Sequence, residues 1–119
     1  MTARKPKVHA RLELFAVAVW DAATNAYTYR SVRGYEVEMP GFDEWVWFVH
    51  RCSATLWRVS EGASGAFIPI SGAPTRHQSI NLAWWAMNDR GIDAVRKFCR
   101  AVLRRTFVAP PSGQEGSKA

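Results

Sequence analysis

The run from Val8 to Trp20 constrains this chain more than any other segment. Every even position in it, Val8, Ala10, Leu12, Leu14, Ala16, Ala18 and Trp20, is apolar. A period of two puts all of these side chains on one face of a strand, whereas a helix would scatter them around its axis. The odd positions begin polar, with His9, Arg11 and Glu13, and turn apolar at Phe15, Val17 and Val19. One face of this strand is therefore expected to be buried throughout and the other only in its second half. Asp21 to Asn25 supplies turn chemistry, and Tyr27 to Arg33 is rich in residues that favour strands, so the two segments predict a hairpin.

Further extended segments follow. Tyr35, Val37 and Met39 alternate with Glu36 and Glu38 until Pro40-Gly41 ends the run, which reads as a separate short strand. Trp45 to His50 is apolar on both faces, as a central strand covered on both sides would be. Thr55 to Ser60 and Ala66 to Ile70, joined by Glu61-Gly62-Ala63-Ser64-Gly65, have the pattern of a second hairpin. Pro69 has no backbone donor, which places the last of these strands at an edge or at its own end.

The final third is helical. Pro74-Thr75 followed by Gln78 has capping-box spacing, with the Thr75 oxygen accepting from an early helical amide and Gln78 reaching back. Ile80, Ala83, Trp84 and Met87 then form an apolar stripe, and Gly91 ends the helix. A second helix beginning near Asp93 offers Val95, Cys99, Val102 and Leu103 to a core, with Phe98 at the margin. Strands followed by helices predict an α+β fold: an antiparallel sheet of five or six strands over residues 8–70, then two helices, about 75–90 and 93–106, packed on one face. The two-sided segment 45–50 leaves a second sheet face to be covered, for which a homodimer contact or another partner is expected.

A chain of 119 residues buries about two thirds of its unfolded surface as one domain and needs no staple to do so. The expected division is a basic flexible arm over 1–7, a single domain over 8–107 and a disordered tail over 108–119, where a stretch rich in Pro, Gly and Ser has too little to bury. Cys52 and Cys99 stand 47 positions apart with no second ligand pair near either, so no metal site and no disulfide framework is expected. A reducing, cytoplasmic setting is the simplest reading. Arg4, Lys5 and Lys7 ahead of Leu14 to Trp20 loosely imitate a signal peptide, but His9, Arg11 and Glu13 interrupt the approach. No apolar run nears the ~20 residues of a membrane span, so no membrane partner is expected.

Catalytic patterns are sparse. His50 and Cys52 share a strand face, yet no glycine cluster for an oxyanion and no orienting acid accompanies them, and a strand-end histidine beside a thiol is the simpler reading. His9 lies at an exposed alternating position and His77 in the first turn of the first helix. Glu36 and Glu38 also share a face, as acids on the wet side of a strand commonly do. The chain has no HExxH, GxSxG, Walker or dinucleotide-binding glycine pattern. A hydrolase using His50 or the two glutamates ranks below a binding role. No enzyme and no cofactor is expected.

Charge gives the better lead. Residues 1–11 carry +4, residues 12–89 carry −3 and residues 90–105 carry +5, which puts the overall +6 at the two ends of the domain. On a helical wheel Arg96, Lys97, Arg100 and Arg104 fall on one side of the second helix, a face suited to phosphates or to an acidic protein surface and one that the N-terminal arm could extend. Cations near a helix C-terminus also favour its dipole without any ligand. Of the six tryptophans, Trp20, Trp45, Trp47, Trp57 and Trp84 fall on faces expected to be buried, whereas Trp85, next to Trp84 on the helix, must point elsewhere, as an interface anchor or toward the second helix. Tyr27 and Tyr29 share a face that would stack bases if it were open. The sequence thus suggests a small non-enzymatic binding protein that engages nucleic acid, or an acidic surface of a nucleic-acid-handling complex, through Arg96, Lys97, Arg100 and Arg104. The alternative is a protein-interaction module, such as a phage- or plasmid-encoded inhibitor or adaptor, acting on a host complex through an aromatic surface that includes Trp85.

Overall fold

The first hairpin runs longer than its sequence pattern suggests. In a computed structural model, which describes residues 5–107 with side chains to Val102, strand β1 (Lys7–Asp21) pairs antiparallel with β2 (Ala26–Glu38) from Lys7 opposite Glu38 to Asp21 opposite Ala26. The Asp21 carboxylate accepts the Ala23 N–H at 3.0 Å, and Asn25 takes the left-handed conformation that its short amide tolerates. β3 (Trp47–Ser53) and β4 (Leu56–Glu61) extend the meander, giving one antiparallel sheet in the order β1-β2-β3-β4. Helices α1 (Arg76–Arg90) and α2 (Ile92–Phe107) complete the α+β fold. The proposed tail over 108–119 and the first four residues of the proposed arm lie outside the described residues.

The sheet has four strands, not five or six, for two reasons. Residues 35–38, expected as a separate strand, continue β2 straight through Gly34. Residues 66–70, expected as the second arm of a hairpin, make isolated bridges: Phe67 opposite Ser60 and, further on, Ala73 opposite Trp57. Between those bridges Pro69 cannot donate, and the Val59 N–H goes to the Ser71 hydroxyl at 3.0 Å. That hydroxyl takes the place of a strand carbonyl. β3 also begins at Trp47, later than expected, because residues 43–45 form a turn.

Both helices lie against one face of the sheet, as expected. Val37, Trp47, Val49 and Val59 meet Ile80, Ala83, Met87, Val95 and Cys99 in the main core. The Trp47 indole N–H is satisfied by the Phe42 carbonyl at 3.0 Å, and that of Trp84 by the Pro40 carbonyl at 3.2 Å. The α1 cap is half of the expected box. Thr75 Oγ1 accepts the Gln78 N–H at 3.2 Å, but the Gln78 side chain takes the Thr75 hydroxyl proton and does not reach back to the Thr75 amide.

On the second face Phe48 and His50 are buried by the chain itself, whereas Val46 stays 47% exposed. Phe15 stacks parallel on Phe48 with ring centroids 4.2 Å apart. The Ala18 N–H donates to the Gly65 carbonyl at 2.9 Å, tying β1, one edge of the sheet, to the segment that leaves β4 at the other edge. The sheet is therefore rolled, and two glycines make this possible. A Cβ at Gly34 would lie 2.7 Å from the Val49 carbonyl, and one at Gly65, whose φ is +72°, would lie 2.6 Å from the Ala18 nitrogen.

The even face of β1 departs from its expected burial. Ala18 is covered by Ala66 and Val102, but Leu12, Leu14 and Trp20 are 46%, 70% and 44% exposed. The helices lie over β2, β3 and β4, and the middle of the outermost strand extends past them.

Candidate binding surface on the helical pair

Gly91 joins α1 to α2 with no loop, its N–H bonded to the Met87 carbonyl at 2.9 Å. The end of one helix and the start of the next are thus held side by side. Ile68, Pro69 and Ile70 approach this corner from the segment after β4, and the three elements enclose an apolar groove of about 340 Å³. Trp85 and Ala86 of α1 and Ala94 and Phe98 of α2 form its walls. Trp85 is 59% exposed and Ile70 48%. Asp89 and Arg90 also line it. Sequence reasoning singles out Trp85 but misses Ile68, Ile70 and Phe98. The one signal for the isoleucines is the intervening Pro69, which turns the chain out of the sheet.

The structure places three of the four cations expected on α2. Arg96 is engaged within the fold: its guanidinium forms a two-point contact with Glu44, 2.7 Å from Oε1 and 3.3 Å from Oε2, donates to Asp93 at 3.0 Å, and lies over the Trp45 ring. The Glu44 carboxyl is held below its ordinary range by the hydrogen bond from Arg96, against the cost of desolvation, and then by the charges of Arg96 and Arg100. Lys97 and Arg100 are exposed and enter no ion pair among the described residues. The Arg104 side chain lies outside the described residues. At 100° per residue, Lys97 falls about 60° from Ala94, on the side away from Val95 and Phe98, and Arg100 falls about 40° from Arg96, on the side that faces Glu44. Arg51, Arg58 and Arg76 in the acidic middle of the chain lie over the rings of Trp57, Phe67 and Tyr35, where their stems cover apolar surface.

His50 and Cys52 do share a face, and a third residue joins them. His50 Nε2 is 2.9 Å from Ser60 Oγ, and Nδ1 is 3.8 Å from Cys52 Sγ. Ser60 is fully buried and His50 only 5% exposed. Burial, followed by the charges of Arg58 and Arg30, lowers the His50 pKa to about 4. Cys52 is exposed as a residue, but desolvation of its sulfur beside His50 raises the thiol pKa, so it stays protonated at neutral pH. The trio is thus a buried His50–Ser60 hydrogen bond with a protonated thiol beside it. His9 pairs with Glu38 at 2.8 Å, and His77 is exposed.

Tyr27 packs against the small cluster of Ala18, Ala66 and Val102, and its ring meets Trp20 edge-on, so the tyrosine face is partly occupied. Among the described residues no group of three His, Cys, Asp or Glu side chains is placed to hold a metal ion, and no helix is long and apolar enough to cross a membrane. No protein-family model, curated protein or solved structure matches the chain.

Proposed function

We propose that the protein is a non-enzymatic binding module that engages an acidic protein surface through its two C-terminal helices. The observation behind this reading is that an open apolar groove with an exposed tryptophan stands on the same helical pair as Lys97, an exposed cation that enters no ion pair among the described residues. Apolar surface around Trp85 supplies contact area, and Lys97 and Arg100 supply attraction and orientation. The sequence-based set of Arg96, Lys97, Arg100 and Arg104 narrows accordingly, because Arg96 is already held by two carboxylates.

The test is binding to poly-L-glutamate and to labelled single- and double-stranded DNA across a salt series. The expected result is binding to the acidic polypeptide that weakens with salt and falls about tenfold when Lys97 and Arg100 are both changed to Glu. Binding that ignores the charge reversal would overturn the proposal. Preference for DNA, with affinity linear in log salt, would replace the protein partner with nucleic acid.

A further inference from the structure

We infer that the outer edge of β1 pairs with the same edge of a second copy of this chain, antiparallel and centred on Leu12. This contact is independent of the helical pair and of the binding role proposed above.

The backbone supplies the donors and acceptors. β1 has a strand on one side only, and in an antiparallel ladder alternate residues turn their N–H and C=O groups to opposite sides. The Ala18 N–H is given away from β2, to the Gly65 carbonyl. From Leu12 to Ala18, where the register on β2 is unbroken, the even residues therefore point outward. Gly65 occupies the edge at Ala18, but the outward groups of Leu12 and Leu14 have no partner among the described residues. Ala10 and Arg11 have no Cα partner on β2 either, because β1 advances from Val8 to Leu12 while β2 moves only from Val37 to Tyr35. Such an edge is a template for another strand.

Side chains select the occupant and its register. Pairing about a twofold axis at Leu12 lets the two copies of Leu12 exchange both backbone bonds, and it sets Leu14 opposite Ala10 and Arg11 opposite Glu13 on each side of the axis. Leu12 and Leu14, both exposed in the single chain, then form one cluster of four leucines on the helix side of the sheet, through direct and diagonal contacts. On the other side two Arg–Glu pairs form. Neither Arg11 nor Glu13 enters an ion pair among the described residues of one chain. Neighbouring registers lose these contacts. Centred on Arg11, arginine meets arginine; centred on Glu13, glutamate meets glutamate. Centred on Ala10, Leu14 meets Pro6, which has no N–H to give. Centred on Leu14, pairing needs the Ala16 edge, where a Cβ at Gly65 would already lie 3.1 Å from the carbonyl oxygen. A foreign strand must match this order of charges, whereas the chain carries both halves itself.

The experiment uses the full chain. Sedimentation over a concentration series reads its mass, and amide hydrogen exchange reads the edge. Expected are a reversible dimer and slower exchange at the Leu12 and Leu14 amides as concentration rises, with the Glu13 and Phe15 amides, which face β2, unchanged. Arg11→Glu sets acid against acid and Glu13→Arg sets base against base, so each should weaken self-association about tenfold or more. Mixed in equal amounts, the two variants should dimerise with each other, because every cross-strand pair is then of opposite sign; that recovery also shows that both are folded. A chain that stays monomeric at every concentration would overturn the inference, as would a dimer that both substitutions leave intact or variants that fail to pair when mixed. A dimer whose Leu12 and Leu14 amides exchange as fast as in the monomer would also overturn it and would move the contact to another surface.

Discussion

Around His50, at the scale of single residues, the exclusion of water sets a pH limit on the fold. The imidazole is held neutral against Ser60, and its pKa falls from an ordinary 6.5 to about 4. The unfolded chain then binds a proton between those two values and the folded chain does not, so stability is full above 6.5 and is lost as pH falls toward 4. The loss is of order 3 kcal/mol over that window. Urea denaturation of the wild type and of His50→Gln at a series of pH values checks this: the variant should lose that much less between pH 6.5 and 4, and parallel curves would mean His50 is not the titrating group. The cysteines permit a second check. Cys99 is buried, and desolvation, then the Glu61 charge, raises its pKa to about 12, whereas Cys52 is exposed. Iodoacetamide at pH 8 should modify Cys52 slowly in the native protein and Cys99 only after unfolding; native-state labelling of Cys99, read by peptide mass mapping, would contradict its burial. Residues of this kind are legible in a sequence where the reason is local. Trp85 is, because its neighbour Trp84 claims the core face. Arg96 is not, because the carboxylate that holds it lies 52 residues away in the chain.

At the scale of elements, the segment between β4 and α1 does more than its irregular shape suggests. Glu61 is 2% exposed, and its carboxylate accepts from the Ala63 and Ser64 amides and the Ser64 hydroxyl, which shapes the loop that brings Gly65 to β1. Gly65→Ala would set a methyl 2.6 Å from the Ala18 nitrogen at a φ of +72°. A loss of about 2–4 kcal/mol is expected from combined strain and clash, measured by chemical denaturation; a loss below about 0.5 kcal/mol, the size of a neutral surface change, would mean the sheet is not closed at that point. Further along, Ser71→Ala removes the acceptor for the buried Val59 N–H and should cost about 1–3 kcal/mol, with faster hydrogen exchange at that amide. The helices and the first hairpin are legible because their periods are long and uninterrupted. The strand count is not. A glycine in a strand and a glycine in a turn look alike until the Val49 backbone is seen to need the space at Gly34, and nothing local announces that a serine hydroxyl will replace a strand carbonyl.

For the whole molecule, the net charge divides by whether the fold already uses it. Sequence alone pools Arg96 with Lys97 and Arg100 because a helical wheel shows only the helix they stand on. In three dimensions Arg96 fastens α2 to the 43–45 turn through Glu44 and covers Trp45, while its two neighbours face solvent. Charge reversal should therefore have different effects on the two groups. Arg96→Glu sets a third acid beside Glu44 and Asp93 and should lower the melting temperature while changing affinity for an acidic probe little. Lys97→Glu with Arg100→Glu should lower the melting temperature much less, because neither residue enters an ion pair among the described residues and Arg100 acts on Glu44 through its charge alone, and should weaken the acidic probe and flatten its salt dependence. Melting curves and anisotropy titrations on the same preparations separate these outcomes. A drop in melting temperature for the double variant as large as that for Arg96→Glu would place Lys97 and Arg100 within the fold's own electrostatics, and the basic face would then be part of the architecture with no partner required to explain it.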